Sequence, residues 1–227
     1  MPLTQDDFRG RFLTLEGVDG CGKSTQARRL AAWLRGLGCD VVATREPGGT
    51  ALGERIRQIL LTQETQPPLP RTELALVFAA RAQHVEEVIR PALRQGATVV
   101  CDRFVDATEA YQGGGRQLGG EIVATLHRSL CDALQPDLTV ILDLDIDIAL
   151  ARAWRRQESA TNGEARFESE PAEFHRRVRA AYHAIAAREA QRCRLVAAHG
   201  SPEEVAARVF QAVDSVALTW KPLAFAP

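Results

Sequence analysis

Gly17-Val18-Asp19-Gly20-Cys21-Gly22-Lys23-Ser24 is the stretch of this sequence that decides its fold. It fits the pattern G-x-x-x-x-G-K-[ST], in which glycines let backbone N–H groups turn inward around phosphate oxygens. An apolar run precedes it and a helical pattern follows it, which is the setting that such a loop requires. A glycine-rich turn that only joins a strand to a helix would not need a Lys-Ser pair at its end. The pattern therefore predicts a phosphate-binding loop, with Lys23 on the β- and γ-phosphates of a nucleotide and Ser24 in a Mg²⁺ shell.

Short apolar runs alternate with longer helical patterns on both sides of this loop. The runs are typical of strands buried in a parallel sheet, and they cover residues 12–15, 41–44, 98–101, 138–142 and 195–198. Helical spacing of apolar residues covers 27–37, 72–95, 123–130, 148–156, 173–192 and 202–216. The alternation predicts an α/β fold, a parallel sheet flanked by helices on both faces. A length of 227 residues suits one domain, with loose ends at 1–10 and 219–227.

Composition and charge narrow the function classes. Hydrophobic residues make up 45% and charged residues 25%, with a net charge of −1, so no overall charge attracts nucleic acid or an anionic membrane. The five cysteines are scattered without a C-x-x-C pair, which favours reduced thiols over a disulfide framework or a zinc site. The first ten residues lack the apolar core of a signal peptide, and no apolar run approaches the roughly 18 residues of a membrane span. These features predict a cytoplasmic protein.

Arginines recur where the predicted strands end. Arg45 ends the second strand and Arg103 follows the third, while Arg57 and Arg81 lie on predicted helical stretches. In a parallel sheet the carboxyl ends of the strands face the same crevice as the phosphate-binding loop. Any one of these arginines could be a solvated surface residue, but two at strand ends indicate a second anionic ligand.

Two further features bear on the choice among phosphate-binding proteins. The sequence contains no N-K-x-D motif to recognise guanine, which disfavours a GTPase. Asp143 follows the fourth strand and is either a carboxylate that helps to hold the metal or a capping residue at the strand end.

Several segments, read in order, resemble bacterial thymidylate kinases along nearly the whole chain. They are Glu16 to Thr25, Thr44-Arg45-Glu46-Pro47-Gly48-Gly49-Thr50, Phe78 to Val85, Asp102-Arg103-Phe104 with Ala110 to Gly114, and Pro136 to Thr139 with Leu142-Asp143. The resemblance implies a P-loop NTPase fold with a short lid at 158–171, and transfer of the γ-phosphate of ATP to dTMP. It also implies Mg²⁺ as cofactor and a homodimer, for which the apolar helices at 74–93 and 123–130 could supply the interface.

The resemblance implies a role for each matching residue. ATP would be bound by Gly17, Val18, Asp19, Gly20, Cys21, Gly22, Lys23, Ser24 and Thr25. Mg²⁺ would be held by Ser24 and Asp102. The acceptor phosphate would be held by Arg45, Arg57 and Arg103. The thymine and sugar would meet Arg81 at a carbonyl oxygen, Thr108 at the base edge, Gln112 nearby, and Tyr111 where a ribose 2′-hydroxyl would lie.

Catalytic roles follow for Lys23, Arg103 and Asp19, with Lys23 expected on a surface loop and Asp19 near the metal or the 3′-hydroxyl. Some relatives carry an arginine in the phosphate-binding loop directly after the acidic residue, but this chain has Gly20 there. The lid would then supply the arginine, and Arg166, in Ala165-Arg166-Phe167-Glu168, ranks ahead of Arg156 and Arg155.

The base-stacking position departs from the pattern. Many relatives have an aromatic residue four positions before the thymine-contacting arginine, where this chain has Val77, with Phe78 beside it. Phe78 is therefore the candidate base contact, and which of the two faces the base stays open. Two rival functions also remain: a kinase for another nucleotide or deoxynucleoside, and a regulatory ATPase that has no second anion site.

Overall fold

The protein's structure, a computed structural model, describes residues 10–62, 66–158 and 166–217, without the side chains of 156–158 and 217. The predicted loose ends at 1–9 and 219–227, and residues 159–165 of the predicted lid, lie outside these described residues. Within the described ranges, no helix has the length and apolar character needed to cross a membrane.

A parallel sheet of five strands organises the fold, as the sequence predicts. The strands are β1 (Phe12–Gly17), β2 (Val41–Arg45), β3 (Thr98–Asp102), β4 (Leu138–Asp143) and β5 (Cys193–Ala197), in the order β2-β3-β1-β4-β5. Every residue of β1 is buried because this strand is central and both of its faces are covered. All five carboxyl ends point to one edge, where the phosphate-binding loop begins.

Helices cover both faces of the sheet. They are α1 (Lys23–Gly36), α2 (Ala51–Leu61), α3 (Pro70–His84), α4 (Arg90–Arg94), α5 (Val105–Thr108), α6 (Gly120–Cys131), α7 (Ile146–Glu158), α8 (Ala172–Arg188) and α9 (Pro202–Ala217). Neighbouring strand residues point to opposite faces, so Leu13 packs in a cluster with α1, α8 and α9, and Phe12 in one with α3, α4 and α6. Together these two apolar clusters hold the sheet between its helices.

Three elements differ from the sequence prediction. The helical pattern at 72–95 is interrupted by a π-helical segment, Val85–Ile89, before α4, because Pro91 has no N–H to continue the ladder. The sequence pattern places Arg57 on a helix, but α2 is not among the predicted stretches of apolar spacing, although Ile56 and Leu60 have helical spacing and Thr50 caps the helix by accepting from the Gly53 N–H at 2.9 Å. A second π-helical segment, Glu109–Gly115, occupies a glycine-rich stretch that reads as a loop.

The glycines of that second segment allow α8 to pack closely. A Cβ on Gly114 would lie 2.8 Å from the Ala181 Cβ, and one on Gly115 would lie 2.5 Å from the Phe174 ring. Those contacts are shorter than van der Waals separation, so only glycine admits this packing. The segment is thereby held against α8, and it carries Tyr111 and Gln112 to the end of the sheet.

Candidate active site

The carboxyl ends of β1, β2 and β3 surround a cavity of about 400 Å³. The phosphate-binding loop and α1 contribute Asp19, Gly20, Gly22, Lys23, Ser24 and Thr25 to its wall; the loop after β2 contributes Arg45, Glu46 and Pro47; and α2 contributes Arg57, Leu60 and Leu61. The remaining wall consists of Val77, Arg81, Asp102, Arg103, Phe104, Ala107, Thr108, Tyr111, Gln112, Phe167 and Glu168. Most of the predicted site residues therefore meet in one crevice.

The phosphate-binding loop leads directly into α1. The N-cap of that helix is Gly22, with φ +98°, and it offers no side chain to the N–H groups of the first turn. Those groups and the positive end of the helix dipole form an anion site. Lys23 is only 6% exposed and donates from Nζ to the Val18 carbonyl at 2.7 Å, so the expectation of a surface-loop lysine is wrong.

Three residues predicted in this loop do not line the cavity. Val18 and Cys21 are each 2% exposed and pack in the core, and Gly17 ends β1. Burial raises the pKa of the Cys21 thiol, which keeps it in its neutral form. Their side chains therefore do not reach the cavity, and any contact with phosphate would come from the backbone.

Ser24 and Asp102 form the part of the wall that fits a divalent cation. The Ser24 hydroxyl donates to Asp102 Oδ2 at 2.5 Å, and Asp102 Oδ1 is buried without a hydrogen-bond partner among the described residues. Mg²⁺ takes oxygen ligands and commonly uses one or two protein groups beside phosphates and water. The pair fits that coordination, although no cluster of three metal-binding side chains occurs within the described ranges.

Asp143 does not belong to this group. Its carboxylate accepts from Arg179 at 2.7 and 2.9 Å and lies 2.9 Å from His183 Nε2. The hydrogen bond from Arg179 is the main cause that lowers the pKa of Asp143 to about 2. The side chain thus ties the end of β4 to α8, which decides the open alternative in favour of a structural role.

Asp19, Arg103 and Tyr111 form a tight polar cluster at the centre of the cavity wall. Arg103 Nη2 donates to Asp19 Oδ1 at 2.5 Å, and the Tyr111 hydroxyl donates to Asp19 Oδ2 at 2.7 Å. Burial alone would raise the pKa of Asp19, but the charges of Arg103 and Lys23 outweigh it and hold that pKa well below its usual range. Asp19 is therefore a carboxylate that fixes two other site residues.

The backbone at Arg103 is strained. Arg103 has φ +75°, a conformation that residues other than glycine rarely adopt. Its N–H donates to the Leu15 carbonyl at 3.0 Å, and the next N–H, of Phe104, donates to the buried Glu16 carboxyl at 2.7 Å. Burial raises the pKa of Glu16 to about 8. These contacts with β1 hold the turn that aims Arg103 at the cavity.

Two more arginines of the cavity lining come from the end of β2 and from α2. Arg45 Nη2 pairs with Glu54 Oε2 at 3.0 Å, and Arg57 Nη1 donates to the Pro47 carbonyl at 3.0 Å. Together with Arg103 they give the cavity lining three arginines. An anion with several oxygens, such as a phosphate, fits this arrangement.

A separate group of polar side chains lies where α3 meets the second π-helical segment. Arg81 donates from Nε to Glu46 Oε2 at 2.7 Å and from Nη2 to the Thr108 hydroxyl at 2.8 Å. Gln112 donates from Nε2 to the buried Glu73 at 2.7 Å. Arg81, Thr108 and Gln112 all line the cavity, so they can present hydrogen-bonding groups to a ligand there.

The structure does not bring Phe78 or Arg166 to the cavity. Phe78 is 1% exposed and packs in the core beneath Arg81, while Val77 lines the wall, because adjacent helix positions point in different directions. Arg166 is 5% exposed; it forms an ion pair with Glu73 and donates to the Leu60 carbonyl at 2.6 Å. The expectation that Phe78 contacts the base is wrong, whereas the transition-state role of Arg166 stays a prediction, although these contacts favour a structural role. The Arg156 side chain lies outside the described residues, and Arg155 is exposed on α7 and is not among the residues that line the cavity.

Sequence reasoning missed Glu46 and Glu73, two buried carboxylates that hold the ligand-facing side chains. Glu46 lies inside the Arg45 to Thr50 segment, so its neighbours could have pointed to it. Glu73 lies on α3 eight residues before Arg81, and nothing in the local pattern marks it, because Arg116 and Arg166, which both pair with it, come from distant segments.

Comparison with known proteins finds the same kind of protein by sequence and by structure. A family model described as thymidylate kinase matches residues 15–209. A thymidylate kinase of Pelobacter propionicus is 52% identical over 197 residues, covering 86% of this chain and 90% of that protein; for one of Pseudomonas putida the values are 53%, 196 residues, 86% and 91%. A crystal structure of thymidylate kinase from Ehrlichia chaffeensis is similar, with a TM-score of 0.71 at 30% identity over 90% of this chain and 98% of that one. Each likeness extends far beyond the phosphate-binding loop.

Proposed function

The chain belongs to the thymidylate kinase family, and from this we infer that it transfers the terminal phosphate of ATP to dTMP, giving dTDP and ADP. The observation that carries the inference is that one cavity is lined by Lys23 of the phosphate-binding loop, by the arginines Arg45, Arg57 and Arg103, and by the hydrogen-bonding side chains of Arg81, Thr108 and Gln112. A regulatory ATPase would have no use for the second anion site. The neutral hydrogen-bonding groups of Thr108 and Gln112 in the same cavity also suit a nucleotide better than a free phosphate.

The donor side of the reaction is assigned to the loop and α1. Lys23, the N–H groups at the start of α1 and Gly20 would surround the ATP phosphates, and Thr25 lies beside them. Ser24 and Asp102 would hold Mg²⁺, which neutralises phosphate charge when bound. The orphan Oδ1 of Asp102 supports this assignment.

The acceptor side is assigned to the opposite wall. Arg45, Arg57 and Arg103 would grip the dTMP phosphate, because a dianion needs several donors fixed in space. Arg81, Thr108 and Gln112 would meet the thymine edge. Asp19 would act through Arg103 and Tyr111, both of which it binds.

The chemistry needs alignment more than proton transfer. The second pKa of a phosphate monoester is about 6, so dTMP at pH 7 already carries a nucleophilic dianion. The protein's own groups then have to bring two polyanions together and stabilise charge on the phosphoryl group in transit. The three arginines and Lys23 lie around the same cavity and can do this without a general base.

The location, oligomeric state and domain organisation of the enzyme are also proposed. We place the enzyme in the cytoplasm as a homodimer of a single kinase domain spanning 1–227, with 158–171 as its lid and with no nucleic acid or membrane partner. Sedimentation of the purified chain would test the dimer directly.

The central experiment measures ADP release by a coupled assay with and without dTMP. Release that depends on dTMP supports the kinase. Equal release without dTMP would instead identify an ATPase, and faster release with another nucleotide or deoxynucleoside in an acceptor panel would identify the rival kinase.

A first prediction concerns the sugar. Tyr111→Ala is expected to reduce the preference for dTMP over its ribonucleotide, mainly by raising kcat/KM for the ribonucleotide. The reason is that the tyrosine ring should occupy the space of a 2′-hydroxyl. Tyr111→Phe is the matched control: it keeps the ring but loses the bond to Asp19, so activity should fall while the preference remains. The measurement is kcat/KM for both acceptors, and an unchanged preference in the alanine variant would show that the deoxy filter lies elsewhere.

A second prediction concerns the base. Val77→Phe is expected to leave KM for dTMP unchanged or lower it, because Val77 lines the cavity and is only partly buried. A new ring there can stack on the base, which aromatic pairs favour by about 0.5–1.5 kcal/mol. A higher KM with an unchanged melting temperature would show that the ring blocks the base instead.

A further inference from the structure

Arg81 is held by protein contacts at all but one of its nitrogens. Nε donates to Glu46, and Nη2 donates to the Phe104 carbonyl at 3.0 Å and the Thr108 hydroxyl at 2.8 Å. Nη1 is buried and has no hydrogen-bond partner among the described residues. Because Arg81 lines the cavity, Nη1 is the nitrogen left to donate to a ligand.

Glu46 fixes the orientation of that guanidinium. Its carboxylate is 4% exposed; Oε2 accepts from Arg81 at 2.7 Å, and Oε1 lies 2.9 Å from His84 Nδ1. Burial alone would raise the pKa of Glu46, but the Arg81 charge and the His84 hydrogen bond outweigh it and lower that pKa, so the group stays ionised. An ionised carboxylate only accepts, so His84 Nδ1 must be the donor.

His84 continues the chain of contacts into β2. Its Nε2 lies 2.7 Å from the Thr44 hydroxyl, which donates to it when the imidazole is neutral. Gly49 closes over the ring: a Cβ there would lie 2.5 Å from His84 Cδ2 and 2.8 Å from the Thr44 hydroxyl oxygen. Both oxygens of Glu46 are thus tied to buried groups that cannot move independently.

Glu46 also connects the two halves of the acceptor wall. It lies between Arg45 and Pro47, which both line the cavity, and the Pro47 carbonyl accepts from Arg57. The loop that carries the phosphate-facing arginine is therefore the same loop that orients Arg81. A buried guanidinium without this carboxylate would be an uncompensated charge free to turn toward a phosphate.

We propose that Glu46 is a positioning residue for base recognition: with His84 behind it, it holds Arg81 so that Nη1 alone is presented, as a donor, to a carbonyl oxygen of the acceptor base. The inference rests on the proposed function, since it takes the occupant to be a pyrimidine nucleotide. A 4-oxo pyrimidine such as thymine places an acceptor at this point, whereas cytosine places an amino group that cannot accept. Glu46 would therefore affect the selectivity between thymine and cytosine through Arg81, without contacting the base itself.

The test compares dTMP and dCMP as acceptors for Glu46→Gln. The amide keeps the shape of the side chain but removes its charge and one acceptor oxygen, so the guanidinium of Arg81 loses its charged partner and is held mainly by its two Nη2 contacts. We expect KM for dTMP to rise about tenfold with kcat little changed, and the dTMP:dCMP ratio of kcat/KM to fall by a similar factor. The matched control is Asp132→Asn, because Asp132 pairs at 2.7 Å with Arg90, another buried arginine, and neither residue lines the cavity; its ratio should not change.

The outcomes separate this inference from the proposed function. A wild-type chain that does not phosphorylate dTMP refutes the function itself. If the wild type is active and Glu46→Gln has an unchanged dTMP:dCMP ratio of kcat/KM, the positioning role is refuted, even if the melting temperature falls. A purely structural residue would lower kcat/KM for both acceptors equally. If Glu46→Gln does not fold, His84→Asn, which keeps Glu46 charged but breaks the link to Thr44, should shift the ratio in the same direction; an unchanged ratio there also overturns the proposal.

Discussion

Lys23→Ala is expected to lower kcat for dTMP phosphorylation by about 10³-fold, because it removes a cation from the phosphates of a preorganised site. The structure places Nζ 2.7 Å from the Val18 carbonyl and 3.9 Å from Asp19 Oδ1, inside the loop and facing the cavity. The side chain is 6% exposed, so its removal also leaves space in a buried region. We therefore expect a modest loss of stability beside the loss of turnover.

Steady-state kinetics and thermal unfolding of the same preparation separate the two effects. The control is Arg29→Ala, which removes a cation from the outer surface of the same helix, where Arg29 pairs with Glu203. That variant should keep wild-type turnover. If Lys23→Ala stays folded and retains near-normal kcat, the assignment of the ATP site to this loop is wrong.

Arg166→Ala is expected to act on stability more than on turnover. Arg166 and Glu73 form a buried ion pair, and Glu73 is also bound by Arg116 at 3.1 Å and by Gln112. Removing one partner of a buried pair typically costs about 3–5 kcal/mol, and the partners that remain around Glu73 favour the low end, about 3 kcal/mol. For a chain of this length, that corresponds to a fall in melting temperature of roughly 6–12 °C.

The same variant decides between two roles for this arginine. If Arg166 contacts the transferring phosphate when the lid closes, as the family resemblance implies, kcat would fall about 10³-fold with an unchanged melting temperature. Arg176→Ala is the control, because Arg176 is a half-exposed arginine at the start of α8 whose partner is Glu173 on the surface. The expected pattern is a lower melting temperature for Arg166→Ala alone, with KM and kcat near those of the wild type at low temperature.

Most of the fold could be predicted because its signals are local. The strands are apolar runs five or six residues long, and helices such as α6 and α9 carry apolar residues at helical spacing. The π-helical segment at Glu109–Gly115 could not be predicted. Its glycines disfavour a helix locally, and their role becomes visible only in the close packing of α8 against the segment. Local propensity favours a loop there, and tertiary packing overrides it.

The residues of the site likewise divide into those that could be placed from the sequence and those that could not. Lys23, Ser24, Arg45 and Arg103 could be placed from sequence, because the ends of parallel strands must share one edge of the sheet. The choice between Val77 and Phe78 could not, because it depends on the rotation of α3 about its axis. That rotation places Phe78 in the core under Arg81 and leaves Val77 on the cavity wall.

The sequence by itself determined the alternation of five strands with helices along the chain, the phosphate-binding loop, and the arginines at the ends of two strands, since each follows from the residue pattern within its own segment. Only the tertiary structure decided which charges neutralise one another. Glu46 meets Arg81 from 35 residues away, and Glu73 meets Arg166 from 93 residues away. Such pairs carry no local signal because a buried carboxylate and its arginine are matched by the packing of separate elements. That packing turns Arg166 toward Glu73 and leaves Nη1 of Arg81, in the cavity wall, as the nitrogen without a hydrogen-bond partner among the described residues.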